Sequence, residues 1–97
     1  MWHTFNSCKA LVSLDLSGMD SSSLEDLTYT FSGCVALATI WADAGWALPA
    51  GASGMQTFHQ CSQLVGGSGT TYASSRVSYQ YMRIDGGTAA PGYLTAK

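Results

Sequence analysis

The sequence predicts a repeat solenoid of the α/β class, with parallel strands joined by short helices or turns and closed at its C-terminal end. Three observations carry this. The phrases "TFNSCKAL", "TFSGCVAL" and "TFHQCSQL" recur along the 97-residue chain, placing Phe5, Phe31 and Phe58 at steps of 26 and 27 residues. Cys8, Cys34 and Cys61 keep those steps, and so do Leu11, Leu37 and Leu64. After Leu64 the pattern stops and a segment rich in Tyr and Gly follows. A fixed period in the twenties is the mark of an array whose units bury their apolar faces only by stacking.

The first unit sets the pattern. "CKALVSLDLSG" carries Leu11, Leu14 and Leu16 in the spacing L-x-x-L-x-L, the strand-bearing signature of leucine-rich repeats. Leu14 and Leu16 alternate with Ser13, Asp15 and Ser17, as a strand with one buried face requires. In "MDSSSLEDLTYTFSGC" the serines offer an N-cap, Glu25 and Asp26 suit the first turn of a short helix, and Leu24, Leu27 and Phe31 fall on one helical face. Gly33 is placed to end that helix.

The second unit repeats the strand pattern with Leu37, Ile40 and Ala42. From Leu14 to Met19 is five steps but from Ile40 to Trp46 is six, so the one-residue insertion falls in "WADAGW" and predicts a bulged loop. "WALPAGASGMQTF" then has Pro49, Gly51 and Gly54 where the first unit has helix formers, which predicts an irregular connection or one turn of helix. The repeats thus occupy residues 1–65 as about two and a half units, and residues 66–97 form a C-terminal cap in which "SYQYMRID" is an extended strand.

Composition narrows the function classes. Only 10% of the residues are charged and the net charge is −2, so no basic surface is available for a nucleic-acid backbone. No apolar run is long enough to cross a bilayer, and "MWHTFNSCKA" lacks the layout of a signal peptide. Because Met1 falls inside a repeat, the chain is expected to be a piece of a longer protein.

The three cysteines show no close C-x-x-C pairing, and their count is odd. Equivalent positions of stacked strands lie roughly 5 Å apart. A disulfide prefers about 3.8 Å between Cβ atoms. The cysteines are therefore expected as a buried structural ladder of small apolar side chains beside the Phe and Leu columns. His3 and His59 sit in polar columns and are expected to be solvated, and "GGSG" lacks the Lys and Ser/Thr of a phosphate loop and reads as a turn. Neither a metal, a cofactor nor a catalytic group is expected.

"MDSSSLEDLTYTFSGCVALATI", with the cysteine column and the 26-residue step, resembles the BspA-type leucine-rich-repeat proteins of bacterial cell surfaces. In that family a Met-Phe-x-x-Cys-x-x-Leu-x-x-Leu-Asp-Leu-Ser phrase recurs. The tail "LVGGSGTTY" to "YMRIDGGTAAPGYLT" is similar to the segment that closes such arrays. The chain departs from the family at Thr4, Thr30 and Thr57, where Met usually precedes Phe. The resemblance implies an extracellular, often wall-anchored adhesion protein that binds host matrix or other surface proteins, and it supplies no catalytic residues.

Register then gives the candidate binding face. Aligning Leu11, Leu14 and Leu16 with Leu37, Ile40 and Ala42 sets Ser13, Asp15 and Ser17 beside Thr39, Trp41 and Asp43 on the side away from the core. Trp41 is the expected contact residue, with Asp15 and Asp43 setting a preference for a basic partner. Against this, Trp41 could pack on Trp46 and simply close the loop between them, or the repeats could be a spacer without a ligand. A homodimer through the N-terminal end, around Met1, Trp2, Phe5, Leu11, Leu14 and Leu16, is also expected.

Overall fold

The computed structural model describes residues 5–18, 24–43, 45–49 and 51–96. Its framework is a three-stranded parallel sheet, β1 (Ser13–Asp15), β2 (Thr39–Ala42) and β3 (Leu94–Ala96), in that spatial order. Ser13, Leu14 and Asp15 pair with Thr39, Ile40 and Trp41, which is the predicted register. Ile40, Trp41 and Ala42 pair in turn with Leu94, Thr95 and Ala96. Parallel neighbours need long crossovers. Among the described residues these hold no helix beyond the 3-10 turn Tyr79–Tyr81.

The columns that recur in the sequence meet in space. The Phe5 and Phe31 rings stack with centroids 5.3 Å apart and planes at 1°, and Phe31 stacks on Phe58 at 5.5 Å and 9°. Tyr93 closes this stack edge-on, 4.8 Å from Phe58 and at 68°. Phe31, Phe58, Leu37, Leu64 and Ile40 are wholly buried. Each such side chain contributes roughly 1.5–3 kcal/mol of burial free energy. Phe5, Cys8, Leu11 and Leu14 of the first unit are only partly buried against this core.

Backbone hydrogen bonds run between equivalent positions. Phe5 and Ser7 N–H donate to the Thr30 and Ser32 carbonyls, and Phe31 and Gly33 N–H donate to those of Thr57 and His59. Leu27 N–H donates to Ser53 and Tyr29 N–H to Met55.

The helix expected over Leu24 to Gly33 is not formed. Asp26 bridges Ser53 in an extended pairing, and Glu25 and Asp26, read as helix-start residues, lie in that extended stretch. Two tight turns follow, with Thr30 N–H bonded to Leu27 O and Cys34 N–H to Phe31 O. A helix would need bonds four residues back, whereas here the donors of Leu27, Tyr29, Phe31 and Gly33 are taken by the next unit. Tyr29 and Gly33 are left-handed, at φ 55° and 81°, and so are their counterparts Gln56 (57°), Ser7 (62°) and Gln60 (66°). Gly33 therefore serves a left-handed turn like those at Ser7 and Gln60 instead of a helix end. Leu24, Leu27 and Phe31 are buried as expected, but turns and not a helix bring them to one side.

The second crossover is irregular, as predicted, and Gly54 explains one reason for its composition. A Cβ there would lie 2.5 Å from the Thr28 backbone nitrogen, so only glycine lets the two crossovers pair this closely.

The third unit begins like the others and then yields its strand. Ala38 N–H bonds Val12 O, and Val65 N–H repeats this with Ala38 O. Past Val65 the chain doubles back through a bridge to Thr71, and β3 from the tail takes the place beside β2. "SYQYMRID" is not the extended strand expected. Tyr79–Tyr81 form a turn of 3-10 helix, and only Ile84 bridges Leu94. Its aromatic residues serve the core, Tyr81 packing on Tyr93 at 5.9 Å, so the apolar spacing reflects burial by a turn.

Candidate functional site

The candidate site is the outer face of the sheet. On β1, Ser13 and Asp15 are exposed, and on β2 Trp41 lies between the buried Ile40 and Ala42 with 39% of its surface open. Strand alternation forces this: once Ile40 and Ala42 face the core, Trp41 faces out. Its neighbours across the sheet are Asp15 on one side and Thr95 on the other. Thr39 is half-buried beside Ser13, and Ser17 and Asp43 lie just past the strand ends. The structure thus brings the six predicted face residues together and adds Thr95, which the sequence could not align because β3 comes from outside the repeats.

Trp46 is buried on the other side of the sheet, where its indole N–H donates to Met82 O at 3.1 Å. It is a core residue.

The two acids have local partners that sequence spacing did not reveal. Asp15 Oδ1 accepts from Ser17 N–H at 2.9 Å, fixing the turn after β1. Asp43 Oδ2 accepts from Gly18 N–H at 2.7 Å, tying that turn to the next unit. Gly18 is left-handed at φ 82°, which suits glycine at this position.

Of the ladder residues, Phe31, Phe58, Leu37, Leu64, Cys34 and Cys61 are interior, and Phe5, Cys8 and Leu11 are partly buried. Cys34 and Cys61 are fully buried and Cys8 partly so, all three as free thiols. Each buried thiol donates to the preceding unit, Cys34 Sγ to Phe5 O and Cys61 Sγ to Phe31 O, both at 3.0 Å. The cysteines are thus hydrogen-bond donors as well as small fillers. Burial pushes the Cys34 thiol up and the Cys61 thiol up to about 12, so neither is a nucleophile at neutral pH. Thr57 Oγ1 also spans units, donating to Leu27 O at 2.9 Å, while Thr30 Oγ1 donates to the same carbonyl. Among the described residues no group of three His, Cys, Asp or Glu side chains converges as a metal site, and no helix is long and apolar enough to cross a membrane. His59 is half-buried, while His3, Met1 and Trp2 lie outside the described residues.

One constellation went unread in the sequence. Asp85 is 6% exposed and its carboxylate accepts from Ser68 N–H, Thr70 N–H, Thr70 Oγ1 and Gly87 N–H at 2.7–2.9 Å. Burial alone would raise its pKa, but these donors outweigh it and hold the carboxyl below the usual value. A cavity of about 230 Å³ beside it is lined by Ser68, Thr70, Arg76 and Thr88 among others. Asp85 pins the tail to the "GGSG" turn, and Gly66 permits the approach because a Cβ there would sit 2.2 Å from Gly92 O.

No protein-family model, curated protein or solved structure matches the chain.

Proposed function

We propose that the chain belongs to a leucine-rich-repeat solenoid of the BspA-like kind, residues 66–97 forming its cap, and that it acts as a non-enzymatic protein-binding module on a bacterial cell surface. Its partner on this reading is a host matrix protein or another surface protein. Support for the solenoid comes from the meeting of equivalent residues: Phe5 on Phe31 on Phe58, and the repeated thiol donation from Cys34 and Cys61.

The single observation that carries binding is Trp41. An indole held open in the middle strand, between Asp15 and Thr95, costs hydration without any benefit to the core. Aromatics in such positions anchor interfaces, and the exposed Asp15 and Asp43 would favour lysine or arginine at the rim of the partner. One observation favours the alternative of a spacer without its own ligand: both acids already serve the turn at Ser17 and Gly18.

The test is to present the immobilised chain with purified host matrix proteins and bacterial surface proteins. Saturable binding that weakens with salt supports the binding module. Absence of saturable binding across the panel supports the spacer.

A further inference from the structure

The tail carries a second concentration of polar chemistry, away from the sheet face. The cavity of about 230 Å³ lies between the "GGSG" turn and the turn that follows Asp85. Its walls are fixed from behind. Asp85 holds both turns at once, taking Ser68 N–H and Thr70 N–H on Oδ2, and Thr70 Oγ1 and Gly87 N–H on Oδ1. Arg83 Nε donates to Pro91 O at 2.8 Å, and Tyr93 OH donates to Arg76 O at 2.6 Å, which sets the remaining sides.

We propose that this cavity is a binding site for a small polyol bearing one carboxylate, the chemistry of an acidic sugar unit. Arg76 is the one charged side chain among the described residues that line it, and its guanidinium makes one hydrogen bond among them, to Thr71 O at 3.3 Å. The other N–H donors of that planar fork match a carboxylate in geometry as well as charge. Thr71, Thr88 and Ser68 are exposed around it, and hydroxyls both give and accept hydrogen bonds, as the hydroxyls of a sugar require. Pro91 offers an apolar patch for the carbon face of the ring.

Asp85 decides between ligand classes. Its two oxygens already accept four hydrogen bonds, the full complement of a carboxylate, so it offers no acceptor to an ammonium group. Amines and free amino acids therefore lack a counter-charge here. The same buried carboxylate, one wall behind the cavity, repels a phosphate dianion more than a monoanion, and one guanidinium balances one carboxylate. The volume lies below the roughly 300–1,000 Å³ of drug-sized pockets, so the site fits a single sugar unit. The inference depends neither on the solenoid reading nor on Trp41, which lies on the sheet's outer face.

The probes are sodium glucuronate, glucose, acetate and inorganic phosphate, each titrated into the intact chain to about 20 mM and followed by amide chemical shifts. Glucuronate is expected to saturate with a Kd of about 1 mM or below, with the largest shifts at Ser68, Thr71, Arg76 and Thr88, and the other three probes to bind at least about fivefold more weakly. Arg76→Gln should weaken glucuronate about tenfold or more with the thermal midpoint nearly unchanged, because the lost side-chain bond is long and exposed. Thr88→Ala, at an exposed position, provides a second variant and should weaken it about threefold. No saturation by glucuronate, shifts centred elsewhere, equal binding of glucose, acetate or phosphate, or unchanged affinity in both variants overturns the proposal.

Discussion

The Cys34 thiol lies 3.0 Å from the carbonyl oxygen of Phe5, 29 residues earlier, and Cys61 makes the same contact with Phe31. Each carbonyl already closes its turn by accepting an N–H, from Cys8 at Phe5 and from Cys34 at Phe31, so the thiol is a second donor on the same oxygen, small enough to leave the ring stack undisturbed. Deleting it removes both a hydrogen bond and packing. Cys61→Ala is expected to lower stability by about 1–3 kcal/mol, read as a drop in the urea midpoint.

Alkaline pH should act through the same thiol. Cys61 holds its proton in the folded chain up to about 12, against 9.0 for an ordinary thiol. Between those values the unfolded chain releases a proton that the folded chain keeps, so this stability contribution is complete below pH 9.0 and declines as pH rises toward about 12. The midpoint of Cys61→Ala should fall less steeply over that window than that of the parent chain. Equal slopes would deny Cys61 this role.

Asp85 predicts the opposite limb. Its carboxyl titrates below the usual range because Thr70, Ser68 and Gly87 donors outweigh its burial. The stability it confers is present above the unfolded carboxylate pKa and lost as pH falls through the lower folded value. Asp85→Ala strands several buried donors, an expected loss of about 2–4 kcal/mol at neutral pH, and should flatten the acid limb of a denaturation series.

Glycine substitutions should distinguish two kinds of constraint. Gly54→Ala drives a Cβ to within 2.5 Å of Thr28 N, whereas Gly69, at φ 93°, has open space around the same atom. Gly69→Ala carries only the left-handed penalty of about 1–2 kcal/mol. Gly54→Ala must also push the paired crossovers away from each other, and a thermal midpoint no lower than that of Gly69→Ala would contradict the pairing of Asp26 with Ser53.

The columns of Phe, Cys and Leu made the core and the β1 to β2 register legible in the sequence, because a period reports which side chains share a layer. The spacing of Leu24, Leu27 and Phe31 predicts a helix that does not form, because burial at spacings of three and four fits a helix and a pair of tight turns equally well. What separates them is the left-handed backbone at Tyr29 and Gln56, residue types with no marked preference for that conformation. β3 and Thr95 were out of reach for another reason: the tail supplies a strand where the third unit breaks off, and no repeat register extends to it. The Asp85 cluster depends on Ser68, Thr70 and Gly87 converging across loops, and no periodic signal marks that.

Binding through the open sheet face rests on Trp41, and Trp41→Ala measured twice tests it most directly, once for affinity toward the partner found in the binding panel and once for the thermal midpoint. The expected result is a loss of about 2 kcal/mol or more in binding with the midpoint nearly unchanged, because the indole is 39% exposed and flanked by Asp15 and Thr95 on an open face. Unaltered affinity, or a chain that unfolds, would contradict it and leave Trp41 as a structural residue.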